Sequence, residues 1–193
     1  MTVLDKSVEH VGVLMVLPRG HAPKSEPLHE DYHYRKYDDD LYEAWAALMD
    51  KTGLASKDEA YSILDKMLED REAFTDNFLF VVDDAGNLAA TAGIWPGHVF
   101  EDRLRLHWVA VDPDHQRKGL ARSMITELAQ MYEGRPGRYP LYLSTQSESW
   151  PAIMLYSRLG FTPYLGAYEG HTEEQSQQDW EKVTQLLREK SQK

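Results

Sequence analysis

The sequence predicts a mixed α/β (α+β) domain, a sheet flanked by helices, and three observations carry that prediction. Period-two apolar runs alternate with apolar stripes at helical spacing. Glycines and prolines such as Gly53, Pro96, Gly97, Gly134 and Pro136 punctuate the chain between these segments. From residue 32 the order reads strand, two helices, three strands, helix, strand, helix, strand, which implies strand–helix–strand crossovers in the second half.

Each element has a local reason. Residues 11–17 form a short strand-like run, and Pro18, Pro23 and Pro27 follow it, so residues 1–31 read as a loop-rich N-terminal arm. Aromatic and polar residues alternate in Tyr32-His33-Tyr34-Arg35-Lys36-Tyr37, a strand pattern. Asp40 with Glu43 resembles a capping box opening a helix through Trp45 and Leu48 that Gly53 stops. Ser56 with Glu59 repeats the signature, ahead of a stripe of Ala60, Ile63, Leu64, Met67 and Leu68. A hairpin over 78–95 turns at Asp84-Ala85-Gly86-Asn87. Strand 104–111, helix 119–132 and strand 141–145 follow, the last two separated by Gly134, Pro136 and Gly137. Ser149 is positioned to cap a helix over 151–159, Gly160 ends it, and 161–165 returns as a strand. A polar helix over 173–190 shows only Trp180, Val183 and Leu187 on one face.

Composition narrows the function. With 193 residues, 42% hydrophobic and 27% charged, the chain has the balance of a globular protein with a core of its own. It holds no cysteine, which excludes disulfides, thiolate nucleophiles and iron–sulfur clusters. The apolar run at 13–17 is too short to cross a bilayer, and Asp5 and Glu9 stand where a signal peptide needs basic residues. A cytoplasmic location and no membrane partner are therefore expected. The net charge of −11 argues against nucleic acid and favours a cationic small molecule or basic peptide.

One segment runs against that charge. Leu106-His107-Trp108-Val109-Ala110-Val111 is a strand, Asp112 to Lys118 a loop, and Gly119-Leu120-Ala121 a helix start. A helix N-terminus offers free N–H groups and partial positive charge, so it can hold a phosphate. Gly119 and Ala121 permit close approach, while His115, Arg117, Lys118 and Arg122 concentrate cations. Neither G-x-x-x-x-G-K-S/T nor G-x-G-x-x-G occurs there, so a Walker nucleotide site and a dinucleotide site are both disfavoured.

Downstream, Ala152-Ile153-Met154-Leu155-Tyr156-Ser157-Arg158-Leu159-Gly160-Phe161 fits A-x-x-L-Y-x-x-x-G-F. With Ala110-Val111 and with Gln116-Arg117-Lys118-Gly119-Leu120-Ala121, which fits Q/R-x-x-G-x-G/A, it resembles the GNAT N-acetyltransferase superfamily over residues 32–167. The resemblance implies a centrally splayed mixed sheet, with residues 168–193 as a terminal helix on or beyond that domain. It implies acetyl-CoA as acyl donor and an amine acceptor attacking it directly. Val109, Ala110, Val111, the run Gln116, Arg117, Lys118, Gly119, Leu120, Ala121 and Arg122, and Ser149 would hold the donor. Tyr156 would touch it too and protonate the departing thiolate. No metal is implied.

Two departures stand out. Ser149 occupies a position where the family commonly has asparagine, and neither strand of the splay carries the usual glutamate base. His107, with an ordinary pKa near 6.5, is the candidate base, and Glu148 a weaker one. Trp95, His98 and Trp108 are candidate linings of the acceptor pocket. The N-terminal arm and terminal helix are candidates for a homodimer contact or a cover over that pocket. A non-catalytic acyl-CoA-binding module is the main alternative. His29-Glu30-Asp31-Tyr32-His33 fits H-E-x-x-H, a zinc-peptidase pattern only if it lies on a helix, and Pro27 argues against that.

Overall fold

The computed structural model describes residues 4–100 and 102–192. Seven strands form one mixed sheet: β1 (Gly12–Leu17), β2 (Tyr32–Arg35), β3 (Phe78–Asp83), β4 (Leu88–Pro96), β5 (Leu104–Val111), β6 (Leu141–Gln146) and β7 (Thr162–Pro163). Their spatial order is β2-β3-β4-β5-β6-β1-β7, and only the β5–β6 pair is parallel. Helices α1 (Tyr42–Thr52), α2 (Lys57–Leu68) and α3 (Arg71–Asn77) lie between β2 and β3 in the chain. The crossovers are α4 (Leu120–Glu133) and α5 (Trp150–Arg158), and α6 (Glu173–Ser191) follows β7.

Two apolar cores cover the sheet. Val109 and Val111 join a core with Met124, Leu128 and Tyr156 from α4 and α5, whereas Ala110 joins Trp45, Leu64 and Phe74 from α1 to α3. Period-two alternation along β5 requires that split. Among the described residues no helix is long and apolar enough to cross a membrane.

Several local expectations need correction. The run expected inside a peripheral arm is β1, an interior strand between β6 and β7. Leu14 and Met15, neighbours facing opposite ways, are both buried, the signature of a strand covered on both faces. The Trp180 indole N–H donates to the Leu14 carbonyl at 3.1 Å, so α6 packs over β1. Asp40 is not a cap: Asp38 caps a 3-10 turn at Asp39–Leu41, and Asp40 accepts two hydrogen bonds from Arg35. Ser56 and Glu59 do form the expected capping box. Helix α3, which the sequence reading left out, is capped by Asp70. The strand expected over 161–165 shrinks to Thr162–Pro163, where proline has no N–H to continue a ladder.

The pairing of β4 with β5 slips at one place. Thr91 faces Ala110 and Gly93 faces His107, so two steps on β4 match three on β5. Trp108 takes up the extra residue with φ 49°, a bulge. Gly93 lies opposite this bulge, and a Cβ there would meet the Phe78 ring at 2.5 Å. Gly93→Ala is expected to destabilise the fold by about 1–3 kcal/mol through overpacking. Urea unfolding checks this, and an unchanged midpoint would refute it.

Candidate active site

Strands β5 and β6 touch at a single registered pair, Arg105 with Tyr142, and then part. Each is committed elsewhere. β6 is in register with β1 through six positions, Gly12 with Gln146 to Leu17 with Leu141, and β5 is held by β4. The bulge at Trp108 adds local twist where the strands separate. The gap between them is a cleft of ≈ 270 Å³. Arg105, His107, Trp108 and Val109 line it from β5, Ser144, Thr145 and Gln146 from β6, and Ser149 and Tyr156 from the α5 end. A strand-like chain entering the gap would find backbone groups without a neighbouring strand to bond.

A second hollow, of ≈ 240 Å³, adjoins it around the start of α4. Val111, Gln116, Arg117, Leu120, Ala152 and Leu155 are among its lining. Arg117 (φ 64°) and Gly119 (φ 79°) both adopt the left-handed conformation, and Gly119 begins α4 with no side chain to cap it. The first-turn N–H groups of a 14-residue helix therefore face a hollow, the arrangement that favours an anion. Leu120 is buried in the core, so its contribution there is its backbone. Both hollows are lined from the same two elements: Val109 of β5 and Tyr156 of α5 line the cleft, and Val111, Ala152 and Leu155 of those elements line the second hollow.

The expected cation cluster is largely engaged within the chain. Lys118 lies 5.0 Å from the Tyr32 ring centroid, Arg122 is 3.3 Å from Glu26, and His115 Nδ1 is 2.8 Å from the Tyr32 hydroxyl. Arg117 is exposed and has no carboxylate partner among the described residues. Lys51, from α1, ties the loop down by bridging Asp112 and Asp114, each at 2.7 Å.

The candidate chemical groups divide. Tyr156 is buried at the cleft, and burial raises its phenol well above the ordinary tyrosine value, against a smaller opposing effect of the Arg105 charge. It is protonated at neutral pH and fit to donate. His107 lies in the same cleft, half-buried, with its pKa lowered to about 3 by burial first, then by Arg105 and His98. The ordinary value expected from the sequence is thus lost, and the imidazole is neutral across the physiological range. Glu148 pairs with His10 at 2.5 Å and is not part of the cleft lining. Ser149 makes no capping hydrogen bond, because the 3-10 turn Ser147–Ser149 runs directly into α5, and it lines the cleft instead.

Of the three acceptor-pocket candidates only Trp108 lines the cleft, with its ring edge-on to Trp45 at 5.8 Å. Trp95 packs against Phe74 and Phe78, and His98 is exposed at 3.6 Å from Glu169. Arg105 and the β6 segment Ser144, Thr145 and Gln146 were missed in the sequence reading. A charge amid the apolar alternation of Leu104-Arg105-Leu106 was the available signal for the first. The H-E-x-x-H run straddles a turn and β2 rather than a helix, with His33 bonded to Asp84 at 2.9 Å. That geometry does not support a zinc peptidase, and among the described residues no group of three candidate ligands gathers.

A parted parallel pair with a buried tyrosine in its cleft, and an uncapped helix start at a second hollow, are the arrangement expected of an acyl-CoA transferase fold. Comparison agrees: residues 29–161 match the model of the acetyltransferase (GNAT) family, and the chain belongs to that family. A ribosomal protein bS18 alanine N-acetyltransferase of Escherichia coli K12 is 38% identical over 82 residues, covering 42% of this chain and 53% of the relative. One from Salmonella typhimurium LT2 is 37% identical over 76 residues, covering 36% of this chain and 51% of the relative. The chain thus spans about half the length of the curated relatives it matches. A GCN5-related N-acetyltransferase from Sphaerobacter thermophilus shares the fold with TM-score 0.62 at 20% identity, over 80% of this chain and 49% of that one. A GNAT-family acetyltransferase from Colwellia psychrerythraea gives 0.57 at 13%, over 81% and 54%.

The depressed His107 has a stability consequence. The unfolded imidazole takes up a proton near 6.5 and the folded one only near 3, so the unfolded state binds more protons between these values. The contribution is fully present above 6.5 and is lost as pH falls toward 3. His107→Gln should flatten the fall in stability over that window, and NMR of the wild-type ring should show no titration between pH 8 and 5. A midpoint near 6.5 would refute the assignment.

Proposed function

We propose that the protein transfers an acetyl group from acetyl-CoA to a primary amine by direct attack in a ternary complex. The observation that carries this reading is the parting of β5 from β6 immediately beyond Arg105 and Tyr142, with Tyr156 in the resulting cleft. In this reading the donor's diphosphate rests on the first-turn N–H groups of α4, with the exposed Arg117 beside them, a cation with no carboxylate partner among the described residues. Its pantetheine arm runs between the strands past Val111, Ala110 and Val109.

The amine nitrogen, once neutral, attacks the thioester carbonyl, forming C–N as the carbonyl oxygen becomes anionic. A backbone N–H at the bulge, at Val109 or Ala110, stabilises that oxyanion in a preorganised position. Collapse breaks C–S, and the thiolate takes the Tyr156 hydroxyl proton. The excess proton on the new amide nitrogen leaves to water, which restores Tyr156. A neutral His107 with a pKa of about 3 is a weak proton acceptor, so its part is to accept a hydrogen bond from the amine or a relaying water.

That no carboxylate lines the cleft among the described residues favours the second reading, a non-catalytic acyl-CoA-binding module. The acceptor named for the curated relatives, an alanine of a ribosomal protein, belongs to those proteins, and matched segments of 82 and 76 residues do not carry it here. The cationic acceptor suggested by net charge is likewise a whole-surface inference, and the lining of the cleft bears on it directly below.

Calorimetry is expected to detect coenzyme A binding, and free-thiol release with an amine panel to detect turnover. Tyr156→Phe should lower turnover about 10²-fold or more with coenzyme A affinity unchanged. Loss of binding in that variant, or undiminished turnover, would remove its role as acid. Because the acceptor must be neutral and His107 is already deprotonated, kcat/KM should rise with pH toward the acceptor's own pKa. An inflection near 6.5 that His107→Gln abolishes would restore it as the titrating base.

A further inference from the structure

The acetyl-transfer chemistry leaves one charge in the cleft unused. Arg105 stands at the point where β5 and β6 still pair, four positions before Val109, and it is half-buried. Its Nε is shut off from solvent with no hydrogen-bond partner, and it forms no ion pair among the described residues. Glu169 acts on it through space but sits 3.6 Å from His98, with which it forms its own ion pair. A partly desolvated guanidinium without an ion-pair partner among the described residues costs folding energy that the distant Glu169 offsets only in part.

The rest of the lining sharpens the point. Arg105 and His107 are accompanied there by serine, threonine and glutamine, and among the described residues by neither aspartate nor glutamate. An acidic surface attracts cations from a distance, but a cation arriving in this cleft would meet a fixed positive charge and, among the described residues lining it, no anion. A carboxylate would meet a planar fork of donors that matches it with two parallel hydrogen bonds. Trp108 at the bulge lies three positions after Arg105, about 10 Å along a strand, so one small molecule can engage both ends.

We propose that Arg105 is the specificity residue at the acceptor end, and that the acceptor carries a carboxylate as well as the amine to be acetylated. This rests on the transferase reading, which supplies the amine, while the carboxylate site can be tested without it. The competing role for Arg105 is to act through Tyr156, whose phenol feels its charge. The two roles separate in kinetics: a carboxylate partner acts on KM of one acceptor class, a tuned acid on kcat of every acceptor.

The experiment pairs short amino acids with their decarboxylated amines, in the wild type, Arg105→Gln and Arg105→Lys. Equilibrium binding to the coenzyme A-saturated protein and steady-state acetylation are both read. The wild type should favour the carboxylated member of a pair. Arg105→Gln should raise its KM and dissociation constant roughly tenfold to a hundredfold, equalise the pair and leave acetyl-CoA KM unchanged. Arg105→Lys should recover part of the preference. The melting temperature should not fall in Arg105→Gln, since no ion pair among the described residues is lost, whereas an arginine holding the fold together would lower it. Equal binding of both members by the wild type, or a uniform loss of kcat in Arg105→Gln, overturns the proposal and leaves the transferase standing. If coenzyme A fails to bind or no amine is acetylated, the transferase reading falls. Arg105-dependent carboxylate binding to the protein alone then still upholds this one, and its absence ends it.

Discussion

The structure depends on a competition for strand edges that β6 resolves in favour of β1. A parallel neighbour would ordinarily zip along its full length, because each unpaired backbone group at a sheet interior is costly. Here β6 spends one edge on six registered positions with β1 and keeps a single pair with β5. The bulge at Trp108 then turns β5 away. Both features are needed, since a straight β5 beside a well-held β6 would close the gap.

That gap also sets the electrical character of the site. Burial in it strips water from a side chain and shifts the group toward its neutral form. Tyr156 and His107 both obey, the phenol moving up and the imidazole down. Arg105, which cannot discharge at any ordinary pH, is left as the fixed charge of the cleft. The overall charge of −11 is spread over the surface and says little about this interior.

Legibility in the sequence followed the range of the forces involved. The elements governed by neighbours in the chain read well: Ser56 with Glu59, the stop at Gly53, the turn at residues 84–87, and the approach to α4. The helix start around Arg117 and Gly119 stood out because small residues and basic residues coincide there in an otherwise acidic chain. What depended on distant partners did not read. Nothing near residues 11–17 reveals that β1 pairs with β6 and β7, though its unbroken apolar run fits an interior strand. Trp95 and Trp108 are the same residue type, and only three-dimensional packing sends one to Phe74 and Phe78 and the other to the cleft.

The seat of β1 bears on how the chain reaches its shape. The hydrogen bond from the Val11 amide to the Ser147 hydroxyl joins residues 136 positions apart, and the β1–β6 ladder is of similar reach. Loop closure over such a span must precede its reward, which slows folding of topologies rich in remote contacts. Until β6 has been made, the Gly-Val-Leu-Met-Val-Leu segment has no ladder to join and waits as a sticky apolar ribbon. During synthesis this ribbon leaves the ribosome well before β6 does, and it stays exposed to aggregation for the whole interval between them.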